Sequence, residues 1–298
     1  MTEPLVSLVI TTKNEEKNVE TVMKSIEAQS YRAIETILVD NGSVDKTKEL
    51  ARKYTGYVYD KGPERSAQRN FGMIEKARGK YVMFIDCDMI LSPNLIKKCV
   101  SMMESGDHLA LHIPEIVLGK NYWSKVRRFE RSFYNGTVID GARFFRKDKF
   151  VEVGGFDETM SGPEDWDIDK KVKQIGHIGL LQAEDETGNW SLKKFVLDRG
   201  VNSAEYGSLI YHNESEFNLK KYLAKKGYYA QSFNGYVEKW GKDDPDIKKQ
   251  LGLTYRFFTV FVENGKWLRL IKHPLLLGGM FYLRLSVGLR FLIAKINK

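Results

Sequence analysis

The chain is short of cysteine, of acidic residues at its far end and of uninterrupted apolar runs, and each shortage narrows what it can be. Only Cys87 and Cys99 stand among 298 residues, and neither has a metal-ligand partner at useful spacing. Both read as small core residues of a reduced, cytoplasmic protein. No repeat or low-complexity tract occurs, and 42% hydrophobic with 29% charged residues is an ordinary globular balance that speaks against disorder. The opening Met-Thr-Glu-Pro-Leu-Val-Ser-Leu-Val-Ile carries an acid and no basic n-region. Its apolar run is too short for a signal peptide and suits a buried strand. The length allows one large domain or two intimately joined ones.

What is there is an alternation. Leu5 to Ile10 is an apolar, β-branched run, and Val19 to Ala28 has helical periodicity. Thr36 to Val39 reads as a second strand, and Asp45 as the cap of a helix running through Tyr54. Tyr57 to Tyr59, a helix over Ser66 to Ala77 and the apolar strand Tyr81 to Ile85 follow. Strand alternating with helix implies an α/β, mostly parallel sheet flanked by helices. Ligands bind such sheets beyond the carboxyl ends of the strands. Thr11 to Glu15, Asp40 to Asp45 and Asp86 to Asp88 all fall there. Residues 107–213 read as mixed strand and helix continuing the same domain, and from Ser215 onward the pattern turns helical, over Leu219 to Tyr229 and Phe233 to Trp240.

Two short segments carry chemistry. Asp86-Cys87-Asp88 ends a buried strand, where one or both carboxylates can hold a hard cation and leave sites for phosphate oxygens. Glu164-Asp165 follows Gly162-Pro163 and opens a helix over Trp166 to Ile175, where the dipole favours negative charge. Just upstream, Val153-Gly154-Gly155-Phe156-Asp157 supplies a glycine turn that lets backbone approach a ligand.

The ordered set Val9-Ile10-Thr11-Thr12-Lys13-Asn14-Glu15, Val39-Asp40-Asn41-Gly42-Ser43-Val44-Asp45, Arg65-Ser66-Ala67-Gln68-Arg69-Asn70, Phe84-Ile85-Asp86-Cys87-Asp88 and Val153-Gly154-Gly155-Phe156-Asp157 leading to Glu164-Asp165-Trp166 resembles family 2 glycosyltransferases of the GT-A fold. The resemblance covers about Leu5 to His212. It implies a Rossmann-like GT-A catalytic domain over 1–213, with 1–105 as the nucleotide-sugar half and 106–213 as the acceptor half, followed by a C-terminal helical, amphipathic region over 214–298. By position it implies that Thr11, Thr12, Asn14, Glu15, Asp40 and Ser43 hold the nucleotide, with Arg65, Asn70, Asp86 and Cys87 completing the donor pocket. Asp86 and Asp88 match the metal pair, His212 a further metal ligand and Asp165 the catalytic base. Gly155, Glu164, Trp166, Arg127 and Arg131 lie where acceptor contacts are expected. The implied reaction is metal-dependent and inverting, with Mn²⁺ or Mg²⁺ neutralising the leaving diphosphate and Asp165 taking the acceptor's proton.

A base argues for a hydroxyl acceptor, since the oxygen of a lipid phosphate is already anionic. The rivals are a polyisoprenyl-phosphate sugar synthase and a non-catalytic nucleotide-binding scaffold of the same fold. A sugar nucleotidyltransferase is disfavoured because the first loop, Thr-Thr-Lys-Asn-Glu-Glu, is not glycine-rich.

After Glu263 there is no acid, while Lys266, Arg269, Lys272, Arg284, Arg290, Lys295 and Lys298 supply seven of the net +8 charges. This is a basic tail on a nearly neutral body. Pro274 to Ala294 is the most apolar stretch, but Arg284 and Arg290 interrupt it. Each arginine costs about 2.5–3.5 kcal/mol at a bilayer centre, which disfavours a span. The segment instead suits a helix lying on the cytoplasmic face of a membrane, with Lys266, Arg269, Lys272, Arg284 and Arg290 at headgroup level beside Trp267, Phe281, Tyr282 and Phe291. The alternatives are a helix docked on the catalytic domain or a homodimer contact. A lipid-linked sugar acceptor follows from the interfacial reading; nucleic acid is disfavoured by the apolar content.

Overall fold

A computed structural model describes residues 2–183, 190–201, 207, 209–229 and 232–296. Among the described residues ten strands form two sheets: β1 (Val6–Thr12), β2 (Ile34–Asp40), β3 (Val58–Asp60), β4 (Tyr81–Asp86), β5 (Met89–Leu91), β6 (His108–His112), β7 (Glu115–Leu118), β8 (Ala142–Arg146), β9 (His177–Leu180) and β10 (Ile210–Asn213). The large sheet runs β3-β2-β1-β4-β8-β6-β9; a small one runs β5-β10-β7. The first four strands are parallel to one another, and β8 enters antiparallel to β4.

Every residue of β1 is buried, as expected of a central strand covered on both faces. Its side chains alternate between two cores. Leu8 and Ile10, with Met83 and Ile85 of β4, pack on one face against Val22, Met23 and Ile26 of helix Val19–Glu27 and Leu95, Cys99 and Met103 of helix Leu95–Ser105. Val9, Val39 and Phe84 pack on the other against Met73, Phe150, Phe156, Ile168 and Val172. Each such fully buried aliphatic or aromatic side chain contributes about 1.5–3 kcal/mol.

Three expectations need correction. The segment Ser66 to Ala77 is not one α-helix but the helix Arg65–Asn70 continued by a wider π-turn, Phe71–Lys76. The helix after Asp45 is short, Thr47–Ala51: the Asp45 carboxylate accepts the Thr47 N–H at 3.0 Å ahead of its first turn, and beyond Ala51 the chain unwinds into tighter turns through Tyr54. The C-terminal segment does not lie wholly against solvent. Val260, Phe261, Met280 and Leu283 share a core with Val126, Phe129, Phe133 and Tyr134, so the helix Pro274–Ile296 is docked along one side. Arg284 and Lys266 therefore do not sit at headgroup level. Arg284 is buried, 3.2 Å from Glu130, and Lys266 donates to the carbonyls of Phe133 and Asn135 at 2.9 and 3.2 Å. Phe281 packs on Phe261 and Phe291 on Phe233. Arg269, Lys272, Arg290, Trp267 and Tyr282 remain exposed. Lys298 lies outside the described residues.

Candidate active site

Strand register builds the site. Thr12 pairs with Asp40 across β1 and β2, and Thr11 with Asp86 across β1 and β4. The hydroxyls follow the backbone: Thr12 donates to Asp40 at 2.7 Å and Thr11 to Asp86 at 3.3 Å. Asp40 is fully buried and also accepts the Ser43 N–H at 2.6 Å and the Ser43 hydroxyl at 2.5 Å. Asn14, at φ 55°, donates its N–H to Ser43 and accepts the Val44 N–H. The first two loops of the proposed nucleotide segment are thus stitched together, with Asp40 organising them from below. Glu15 lies beside Asp88 and Asp86, and burial together with those charges raises its pKa against the pull of Asn18.

The small sheet brings up the second half. Beyond Cys87, whose side chain is buried in the core, β5 pairs antiparallel with β10, setting His212 opposite Met89. His212 Nε2 then lies 3.2 Å from Asp88 Oδ2 and its Nδ1 3.9 Å from Glu115. Burial opposes the imidazolium, but Asp88, Glu214 and Glu115 raise the His212 pKa to about 9. The other Asp88 oxygen, Oδ1, is buried without a hydrogen-bond partner. A carboxylate with one oxygen orphaned and the other against an imidazole, with Glu15 and Asp86 nearby, suits a divalent cation. No group of three or more His, Cys, Asp or Glu forms a closed metal cage among the described residues. Protein ligands would therefore need completing by phosphate and water.

Arg69 joins this rim to Glu164 and Asp165, which open the helix Glu164–Lys173. The guanidinium is 1% exposed, 3.0 Å from Asp165 Oδ1 and 3.2 Å from Asp86 Oδ1. It stacks on Phe84 at 4.0 Å and Phe156 at 5.2 Å. Burial alone would raise the Asp86 pKa, but Arg69, Arg65, Arg143 and His212 hold it well below the usual carboxylate range. Asp165 Oδ2 has no hydrogen-bond partner among the described residues, and Asp165 faces a cavity of about 1240 Å³ also lined by His212, Trp166, Arg127, Arg131 and Arg143. Gly141 keeps that approach open, since a Cβ there would stand 3.0 Å from the Asp165 Cβ. Glu164 is buried and bound by Arg65 at 2.9 Å; burial and the neighbouring Asp165 raise its pKa.

Not every predicted residue faces open space. Asn70 accepts the Phe156 N–H and donates to the Phe156 carbonyl, so it fixes the glycine turn. Gly155, at φ 63°, is required there because a Cβ would meet Asn70 Oδ1 at 2.6 Å. Trp166 donates to the Ile139 carbonyl at 3.0 Å. Arg127 is paired with Glu130 at 2.8 Å and Glu214 at 3.3 Å, and Arg131 with Glu115 at 3.3 Å and Asp140 at 3.1 Å. Sequence reasoning gave no individual role to Arg69, Arg143 or Glu115. Arg69 was findable, standing four residues after Arg65 on the same helical face; Arg143 and Glu115, 2.6 Å apart, meet only through tertiary packing.

The sequence model of glycosyl transferase family 2 matches residues 7–156, which contain every element from Thr11 to Gly155 described above. The chain belongs to that family. The glycosyltransferase AglE of Haloferax volcanii is 36% identical over 240 residues, 66% of this chain and 76% of the relative. An uncharacterized glycosyltransferase of Haemophilus influenzae is 25% identical over 263 residues, 75% of this chain and 76% of that one. Among solved structures, the mannosyltransferase PcManGT from Pyrobaculum calidifontis, in complex with GDP-Man and Mn²⁺, superposes with a TM-score of 0.59 at 15% identity, covering 98% of this chain and 86% of that one. TarS of S. aureus gives 0.50 at 17% identity, covering 96% and 54%. At such identities the structures show the fold, GT-A, of this family 2 glycosyltransferase.

Proposed function

We propose that this glycosyltransferase moves a sugar from a nucleotide-diphosphate donor to a hydroxyl of a lipid-linked acceptor, with inversion, and that it works as a peripheral protein on the cytoplasmic face of a membrane. One observation carries the reading: Arg69 holds the Asp165 carboxylate in the wall of a large cavity and Asp86 on its other side. Asn14, Glu15 and Ser43 form the rim for the nucleotide, held from below by Thr11, Thr12 and Asp40; Arg65 flanks it, and Asn70 fixes the glycine turn beside it. Asp88 and His212 would hold the divalent cation, assisted by Asp86. Mn²⁺ bound to PcManGT supports a cation of this kind, and imidazole favours Mn²⁺ over Mg²⁺. When bound, it supplies Lewis-acid neutralisation of the leaving diphosphate.

The chain's own groups do the rest. Arg69 fixes one oxygen of Asp165, leaving Oδ2 to accept the proton of the acceptor hydroxyl as the new bond forms. Arg65 keeps the neighbouring Glu164 engaged and out of that role. A single base, acting on the face opposite the leaving group without an enzyme nucleophile, gives inversion.

Thermal shift with UDP, GDP, dTDP and CDP, with and without Mn²⁺, tests the donor half on wild type, Asp88→Ala and Asp165→Asn, alongside donor turnover. Metal-dependent stabilisation by one nucleotide should vanish in Asp88→Ala. It should survive in Asp165→Asn while turnover falls about 10²–10⁴-fold. Undiminished turnover in Asp165→Asn would overturn the assignment of the base.

A further inference from the structure

The cavity in front of Asp165 is lined by eight Lys and Arg side chains against four carboxylates. Most of the cations are matched. Arg127 and Arg284 share Glu130, while Arg131 and Arg143 share Glu115. Exposed Lys242 and two half-buried side chains are not. Lys226, on helix Leu219–Tyr229, and Arg256, on the π-turn Tyr255–Thr259, have no ion-pair partner among the described residues. Lys226 Nζ is 5.3 and 5.6 Å from the Tyr222 and Tyr229 rings, and Arg256 Nη1 is buried without a hydrogen-bond partner. Burial, then Arg127 and Arg256, press the Lys226 pKa down to about 7; burial and Arg284 lower that of Arg256. Two unmatched, half-buried cations in one cavity, one of them with an orphaned buried N–H group, suit an anion from outside.

The cavity's outer wall says what that anion is attached to. Leu285, Leu289 and Leu292 line it, yet they are 63%, 58% and 60% exposed. They belong to the apolar helix Pro274–Ile296, so the cavity opens through that helix's outward face. A ligand lying here has an anionic group inside and a hydrocarbon tail leaving across leucines.

We infer that Lys226 and Arg256 grip the phosphate of a lipid-linked sugar phosphate, whose chain runs out past Leu285, Leu289 and Leu292 and whose sugar hydroxyl points towards Asp165. This names the acceptor class and rests on the transferase reading above. The guanidinium offers two N–H groups to phosphate oxygens, and the ammonium adds a point charge.

Calorimetry on the full chain with farnesyl phosphate, farnesol and inorganic phosphate tests it, using wild type, Lys226→Met and Arg256→Met. Farnesyl phosphate should bind wild type tightest, and each variant should weaken it about tenfold or more. Farnesol and inorganic phosphate should bind weakly everywhere. The variants should fold with unchanged or higher Tm, because each removes a repelled cation. Equal affinity for farnesyl phosphate and farnesol overturns the phosphate grip, and equal affinity for inorganic phosphate overturns the lipid source. Undiminished binding in both variants overturns the residues. The nucleotide thermal shift, run in parallel, reports the donor site separately. Its loss with farnesyl phosphate binding intact sinks the transferase reading and leaves the lipid site standing.

Discussion

A guanidinium buried between three carboxylates stands at the centre of the proposed site. Arg69 touches Asp86 and Asp165 and lies 3.8 Å from Glu164. Removing it as Arg69→Met leaves those acids facing one another, with Glu164 buried and Asp86 and Asp165 partly solvated, a loss of at most about 3–5 kcal/mol. Arg69→Lys keeps the charge but cannot serve both carboxylates from one planar fork. It should stay folded by urea denaturation while donor turnover drops more than about tenfold; wild-type turnover in the lysine variant would show that the fork itself is dispensable. The sequence places Arg69 inside a recognisable motif, and its spacing from Arg65 puts both on one helical face. Which way that face turns is settled by Phe84 and Phe156, from two distant elements, and no local pattern records it.

Elements with a regular period were legible. β4 and the helices Leu219–Tyr229 and Phe233–Trp240 fall within a residue of their expected bounds. The π-turn after Asn70 was not, because Phe71–Lys76 has the composition of an α-helix and widens only where it meets the sheet. The helix bearing Asp165 is anchored by a pair that periodicity could not show. His112 at the end of β6 meets Asp169 at 2.6 Å, with Asp140 3.7 Å away. Burial lowers the imidazolium's pKa, but Asp169 and Asp140 outweigh burial and Lys173, so it lies above its ordinary 6.5. Its contribution to stability is therefore complete below about pH 6.5 and is lost as pH rises through the elevated value. Urea midpoints of wild type and His112→Gln should converge with rising pH over that range. A constant gap would mean that the proton plays no part.

At the scale of the whole molecule, one side of the C-terminal helices is core and the other is bare. Leu268, Ile271 and Leu275 are 52%, 67% and 80% exposed, beside Arg269, Lys272 and Arg290. Composition announced the amphipathic segment but not which face docks, since Arg284 looks like a surface residue until Glu130 is placed beneath it. Cutting the chain after Glu263 would strip Met280 and Leu283 from a shared core and so confound a membrane assay with unfolding. The triple change Leu268→Asp, Ile271→Asp and Leu275→Asp spares that core. It should abolish co-flotation with anionic liposomes while leaving the nucleotide-dependent Tm shift intact; unchanged flotation would remove the membrane from the proposal. Finally, Asp88 and His212 are 124 residues apart in sequence and meet only when β10 inserts between β5 and β7. Closing so long a loop is slow relative to local structure. On the ribosome, β1 to β4 can therefore assemble well before the pair exists, and on the reading proposed above a nascent chain stays chemically silent until β10 arrives.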